Sequence, residues 1–143
     1  MSTSNPASSP IEVNVKLEKE EDSEYADETL FEQIVGSLRY LCNARPNICY
    51  SVGVVSRYMC NPKKIHMLAA KRILRYFQRT MDYGLLFPFG KNTMKTEMVL
   101  TGYDDSNYCG DLDDRKSKSR CLFLLNGAPI SWCSKRSSNH KAC

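Results

Sequence analysis

The residues best equipped for chemistry are carboxylates, and they gather in one stretch of the chain. Asp104 and Asp105, followed by Ser106, come directly after a β-compatible run from Glu97 to Tyr103. A carboxylate leaving a strand beside a tight turn can offer oxygen ligands to Mg²⁺, the hard cation of phosphoryl chemistry. Asp and Ser are also turn formers in their own right, so the pair carries little by itself. A second acidic group, Asp111, Asp113 and Asp114, leads into Arg115, Lys116, Ser117 and Lys118. It lacks the glycine and the closing glutamate of an EF-hand loop, and it reads as a polar loop spanning 104–118. Two-metal hydrolysis needs several carboxylates converging on ions about 3.5–4 Å apart. No Asp or Glu follows Asp114.

Other reactive arrangements are weaker still. His66 and His140 stand in no ligand spacing, and none of Cys42, Cys49, Cys60, Cys109, Cys121, Cys133 and Cys143 forms a C-x-x-C pair. Zinc is therefore unsupported. An odd number of cysteines in a chain of 143 residues points to reduced thiols rather than a disulfide framework. No Ser/His/Asp set can be drawn, and a nucleophilic cysteine lacks a partner base. The lone Trp132 reads as core, not as a base-stacking platform.

Charge is the stronger signal. The formal net charge is +4, but residues 1–32 hold −7 and the remainder +11. From Arg39 to Arg79 the sequence carries nine basic residues and no acidic one. The acidic leader cannot bury enough apolar surface to offset its chain entropy and reads as unstructured over 1–26. The basic stretch would attract polyanions, with Lys64, Lys71, Arg72, Arg75 and Arg79 as candidate nucleic-acid contacts. The competing reading is a set of solvated helix faces.

Three helical segments must position these groups. Leu30, Phe31, Ile34, Val35, Leu38 and Leu41 recur at three- and four-residue steps, which predicts a helix from Asp27, its N-cap, to Cys42. Pro46 restarts a second helix that runs to Met59 and turns Ile48, Cys49, Val52, Val55 and Met59 inward. Asn61 as cap and Pro62 as first residue open a third, to Arg79, with Ile65, Leu68, Ala69, Ile73, Tyr76 and Phe77 facing the core. Strands are expected at Gly84–Phe87, 97–103, 120–125 and 129–133. Asn126-Gly127 supplies the positive φ values of a type I′ hairpin turn. No apolar run approaches the roughly 18 residues of a membrane span. Met1 to Pro10 is Ser/Pro-rich with no apolar segment behind it, which argues against a secretory signal. The chain therefore reads as α+β and intracellular, in cytoplasm or nucleus, with no membrane partner.

Several blocks resemble the Pol polyprotein of copia-type LTR retrotransposons. Ile34–Leu41 (IVGSLRYL), Ala44–Ile48 (ARPNI), Val55–Met59 (VSRYM), Ala69–Tyr76 (AAKRILRY) and Thr80–Gly84 (TMDYG) are similar to the end of its reverse transcriptase. Gly102–Asp111 (GYDDSNYCGD), Asp114–Ser117 (DRKS) and Gly127–Lys135 (GAPISWCSK) are similar to the opening strands of its RNase H domain. Beyond the acidic leader (1–26) read from charge, the resemblance implies a helical thumb- or connection-like segment (27–82) and a truncated, three-stranded RNase H-like sheet (83–143). It also implies that Asp104-Asp105 is not the polymerase's Tyr-x-Asp-Asp pair, which lies upstream. Asp105 matches the first RNase H carboxylate, a vestigial single Mg²⁺ ligand here, because the Glu-bearing helix that follows in the family is missing. Asn107, Tyr108, Arg120 and Asn47 depart from the family's usual Asp, Trp, Gly and Asp.

The implied chain is a Pol fragment without turnover and without a cofactor of its own. Its parent is an RNA-directed DNA polymerase and Mg²⁺-dependent ribonuclease H acting on RNA–DNA hybrids, and the rest of that polyprotein is its missing partner. Two alternatives stand beside it. One is a co-opted basic nucleic-acid-binding module. The other follows from Arg72-Ile73-Leu74-Arg75, which spells the R-x-L-R motif of secreted effectors that act in a host cell.

Overall fold

Asp27 starts the first helix as its sequence position predicts. Its Oδ1 accepts the Leu30 amide at 3.0 Å, and Glu28 lies in the first turn of α1 (Glu28–Leu41), where the helix dipole favours a carboxylate. The computed structural model describes residues 5, 7–12, 17, 24–88, 98–107 and 118–136. By its contacts the chain divides into two compact units, Met1–Gly84 and Leu85–Cys143.

The second helical segment is less uniform than expected. A 3₁₀ turn at Pro46–Ile48 leads into α2 (Cys49–Val55), and a second 3₁₀ turn covers Ser56–Tyr58. Three β-branched valines crowd this short helix. Ser56 Oγ donates to the Gly53 carbonyl at 3.1 Å, a local bond that competes with further α-helical extension.

The third helix, α3, spans Lys64–Arg79, and its N-cap is Lys63 rather than Asn61. Asn61 instead takes a left-handed conformation, with φ of 59°. His66 supplies the capping contact, its Nδ1 accepting the Lys63 amide at 2.9 Å. The ring is fully buried and stacks on Tyr58 with centroids 3.8 Å apart.

These helices enclose one core. Phe31, Val35 and Leu38 come from α1, Ile48, Val52 and Val55 from the second segment, and Met67, Ala70 and Ile73 from α3. The inward face of α3 is thus rotated from the predicted one. Leu68 is 64% exposed, whereas His66, Met67 and Ala70 are buried. The rotation follows from His66, whose hydrogen bonds make a polar side chain a satisfied interior group. Ala69 and Tyr76 still pack on the core, half-buried.

Part of the acidic stretch belongs to the same unit. Ala7 and Leu17 are buried, the Ala26 amide donates to Pro62 O at 2.8 Å, and the Lys64 amide donates to Glu24 O at 2.9 Å. Tyr25 forms an isolated antiparallel bridge with Lys63.

The second unit is a three-stranded antiparallel sheet of β1 (Leu100–Asn107), β2 (Lys118–Leu125) and β3 (Ala128–Arg136), in that order. Asn126 and Gly127, with φ of 50° and 83°, join β2 to β3. Gly127 is suited to a value that strains a residue with a Cβ. Asn126 also trades two hydrogen bonds with Val99, each 2.9 Å long. The register slips between Phe123 and Leu124, where the partner is Pro129. Proline has no amide to give to the ladder, so a bulge is the economical arrangement there.

Three expectations are corrected here. Gly84–Phe87 forms no strand, since these four residues run into Pro88 with Leu86 and Phe87 exposed. Asp104 and Asp105 lie inside β1 rather than in a loop after it, paired across the ladder with Cys121 and Arg120. Cys121 and Cys133 form a disulfide instead of remaining reduced; they face one another in register, with Cα atoms 5.1 Å apart. Among the described cysteines, Cys42, Cys49 and Cys60 form no disulfide. No described helix is long and apolar enough to cross a membrane.

Candidate nucleic-acid interface

At 3.6 residues per turn, Lys64, Lys71, Arg75 and Arg79 fall within an arc of about 80° on α3 and extend about 22 Å along it. No acidic residue occurs on this helix. Lys64, Lys71 and Arg79 are exposed, and Arg75 is half-buried with its Nε enclosed and unpartnered among the described residues. A row of cations along one side of a helix can follow the phosphates of a nucleic-acid strand.

The five candidate cations are not equivalent. Lys64 Nζ is ion-paired with Glu24, and Arg72 Nη1 with Glu12. Arg72 is held further by Ser9, with Nε donating to the Ser9 carbonyl at 3.2 Å and Nη2 reaching Ser9 Oγ at 3.4 Å. Among the described residues, Lys71, Arg75 and Arg79 have no carboxylate partner. Of the five candidate cations, three are therefore open and two are already occupied by acidic residues. Those acidic partners were invisible at the level of sequence pattern, where the leader's charge was legible but not its contact with α3.

The Arg72-Ile73-Leu74-Arg75 tetrapeptide lies in the middle of α3. Ile73 is fully buried and Leu74 is packed on the core. Arg72, Leu74 and Arg75 are each half-buried.

Asp105 faces a cation rather than other carboxylates. Its Oδ2 lies 3.5 Å from Arg120 Nη1. Asp104, its neighbour along β1, points to the opposite face because side chains alternate in a strand. Among the described residues no three His, Cys, Asp or Glu side chains converge as metal ligands. Among the described residues, Asp105 has no neighbouring carboxylate with which to share the Mg²⁺ that the resemblance implies for the parent enzyme, and no reaction step follows from it. Asp111, Asp113, Asp114, His140, Cys109 and Cys143 lie outside the described residues.

Cys42 is poorly suited to act as a nucleophile. Cys42 caps α1, and a hydrogen bond with Cys49, followed by burial, pushes its thiol far above the usual range. Cys49 Sγ lies 3.6 Å from the carbonyl oxygens of both Cys42 and Arg45. Because the thiolate is the reactive species, iodoacetamide at pH 8 is expected to label exposed Cys60 at least about tenfold faster than Cys42. Peptide mapping by mass spectrometry would show this, and equal rates would refute it.

Comparison with known proteins identifies the chain's relatives. It is 38% identical over 136 residues to a retrovirus-related Pol polyprotein from a transposon of Arabidopsis thaliana, covering 95% of this chain and 9% of the relative. It is 37% identical over 142 residues to another such polyprotein from a transposon of Nicotiana tabacum, covering 94% of this chain and 10% of the relative. A secreted RxLR effector protein of Plasmopara viticola is 42% identical over 103 residues, which cover 71% of this chain and 69% of that protein. The chain spans about a tenth of the length of the Pol polyproteins it matches. No family model and no solved structure matches it. The similarity along nearly the whole chain shows that it belongs with a segment of the retrovirus-related Pol polyproteins of copia-type transposons.

Proposed function

We propose that these residues form a nucleic-acid-contacting part of a retrotransposon Pol protein, with no hydrolytic activity of their own. The helical unit corresponds to the end of the reverse transcriptase, and the sheet to the opening of an RNase H-like domain. The observation that carries this reading is the row of cations on α3, Lys71, Arg75 and Arg79, unneutralised by described carboxylates. Its ligand is an RNA–DNA hybrid, held by its phosphates rather than read by its bases. Asp105, paired with Arg120, supports binding without cleavage.

Binding of a labelled hybrid duplex should weaken steeply with salt, because each neutralised phosphate releases counterions. Replacing Lys71, Arg75 and Arg79 together by alanine is expected to lower the slope of log K against log salt by about 2–3. Fluorescence anisotropy across a salt series measures it, and an unchanged slope would contradict the proposal. Incubation with Mg²⁺ or Mn²⁺ should leave the hybrid intact; cleavage that disappears in Asp105→Asn would overturn the non-hydrolytic part.

The similarity to the Plasmopara viticola protein favours a second reading, a secreted effector acting in a host cell. It requires export, which fractionation of producing cells decides. Protein retained wholly inside the cell would end it.

A further inference from the structure

We propose that the acidic N-terminal segment is a built-in competitor for the polyanion-binding face of α3, exchanged for phosphates when nucleic acid arrives. The inference rests on the nucleic-acid reading above and adds its regulation. Glu12 and Glu24 each hold one of the helix's cations, Arg72 and Lys64. A guanidinium binds a carboxylate and a phosphate through the same planar fork. Glu12 thus sits where a phosphate oxygen would sit.

The segment's attachment does not depend on those carboxylates. It is anchored by buried Leu17 and Ala7, by His66 Nε2 against the Leu17 carbonyl at 3.2 Å, and by backbone bonds from Ala26 and Lys64. The two acidic side chains are themselves exposed, at 56% for Glu12 and 73% for Glu24. Exposed ion pairs are weak because water and salt compete for both charges. Glu12 and Glu24 can therefore swing into solvent while the backbone stays in place. Between the Leu17 and Glu24 anchors the sequence carries Glu18, Glu20, Glu21 and Asp22. Covalent attachment keeps the competing carboxylates at high effective concentration, so a ligand must present several phosphates at once to prevail. An isolated nucleotide lacks that multiplicity; a duplex has it.

The test uses the full chain and a fluorescein-labelled 20-base-pair RNA–DNA hybrid. Glu12→Gln/Glu24→Gln is expected to bind about fivefold more tightly at low salt. Its salt slope should be steeper by about 2, from two further phosphate contacts. Adding Lys64→Gln and Arg72→Gln to that variant should abolish the gain. Glu28→Gln/Glu32→Gln makes the same change in net charge on exposed α1 positions and should leave the slope unchanged. Far-UV circular dichroism confirms that each variant is folded. If Lys71→Ala/Arg75→Ala/Arg79→Ala weakens binding while Glu12→Gln/Glu24→Gln matches the parent, the competitor is overturned and the interface stands. Equal gains in the charge-matched variant overturn it too. If the triple alanine variant binds as the parent does, the interface itself falls, and the competitor with it.

Discussion

Ile73→Ala is expected to cost the helical unit about 2–5 kcal/mol, through the lost transfer of a buried side chain and the cavity left behind. Marginally stable domains hold only about 5–15 kcal/mol in all, so this change removes much of the margin. Ile73 is fully buried among residues of all three helical segments. Urea denaturation followed by far-UV circular dichroism would show the transition moving to lower denaturant. The result also bears on the R-x-L-R tetrapeptide. In a linear recognition motif the second position is free to vary, whereas here it is a core residue. An unchanged transition would mean that the motif is not built into the core.

Breaking the Cys121–Cys133 bond should have an effect of similar size on the sheet. Its cysteines are 12 positions apart, and releasing a loop of that length returns about 3 kcal/mol of entropy to the unfolded chain in the loop-closure model. No described residue of this unit is buried. The cross-link therefore replaces part of what a core would contribute. Trp132 is the chain's single tryptophan and adjoins Cys133 on β3, so its fluorescence follows this unit alone. Thermal unfolding by that signal should occur at lower temperature in dithiothreitol, and equally in Cys121→Ser/Cys133→Ser. Coincident curves with and without reductant would show that the bond contributes nothing.

The disulfide illustrates where sequence reading stops. Counting outward from a two-residue connection at Asn126 and Gly127 places Cys121 opposite Trp132. The slip at Phe123/Leu124 shifts the pairing by one residue and brings Cys133 into place. The slip beside Pro129, and its consequence four residues later at Cys133, were not legible in the sequence pattern. The first helix was legible because its cap, dipole charge and apolar period agree. On α3 the period alone was ambiguous, since a histidine in a basic helix looks like a surface residue. Only the Lys63 amide and the Leu17 carbonyl, met in three dimensions, make it an interior one.

For the candidate interface, the cations were legible as a charge imbalance and their alignment as a helical arc. Their division into open and occupied members was not. Pairing Glu12 with Arg72 spans 60 positions, and no local pattern encodes it. The same holds for Asp105. Its match to a family carboxylate is a one-dimensional property, whereas its neighbour Arg120 is set by the ladder between β1 and β2.

The surroundings of Arg72 also constrain what substitution that position tolerates. Its Nε, Nη1 and Nη2 address three separate oxygens, the Ser9 carbonyl, Glu12 and the Ser9 hydroxyl. A lysine would keep the positive charge yet offer one compact ammonium, unable to span that arc of acceptors. Drift at this codon is thus filtered by shape before charge, and an exchange that scoring matrices treat as mild would loosen the fastening of Ser9 and Glu12 to the helix.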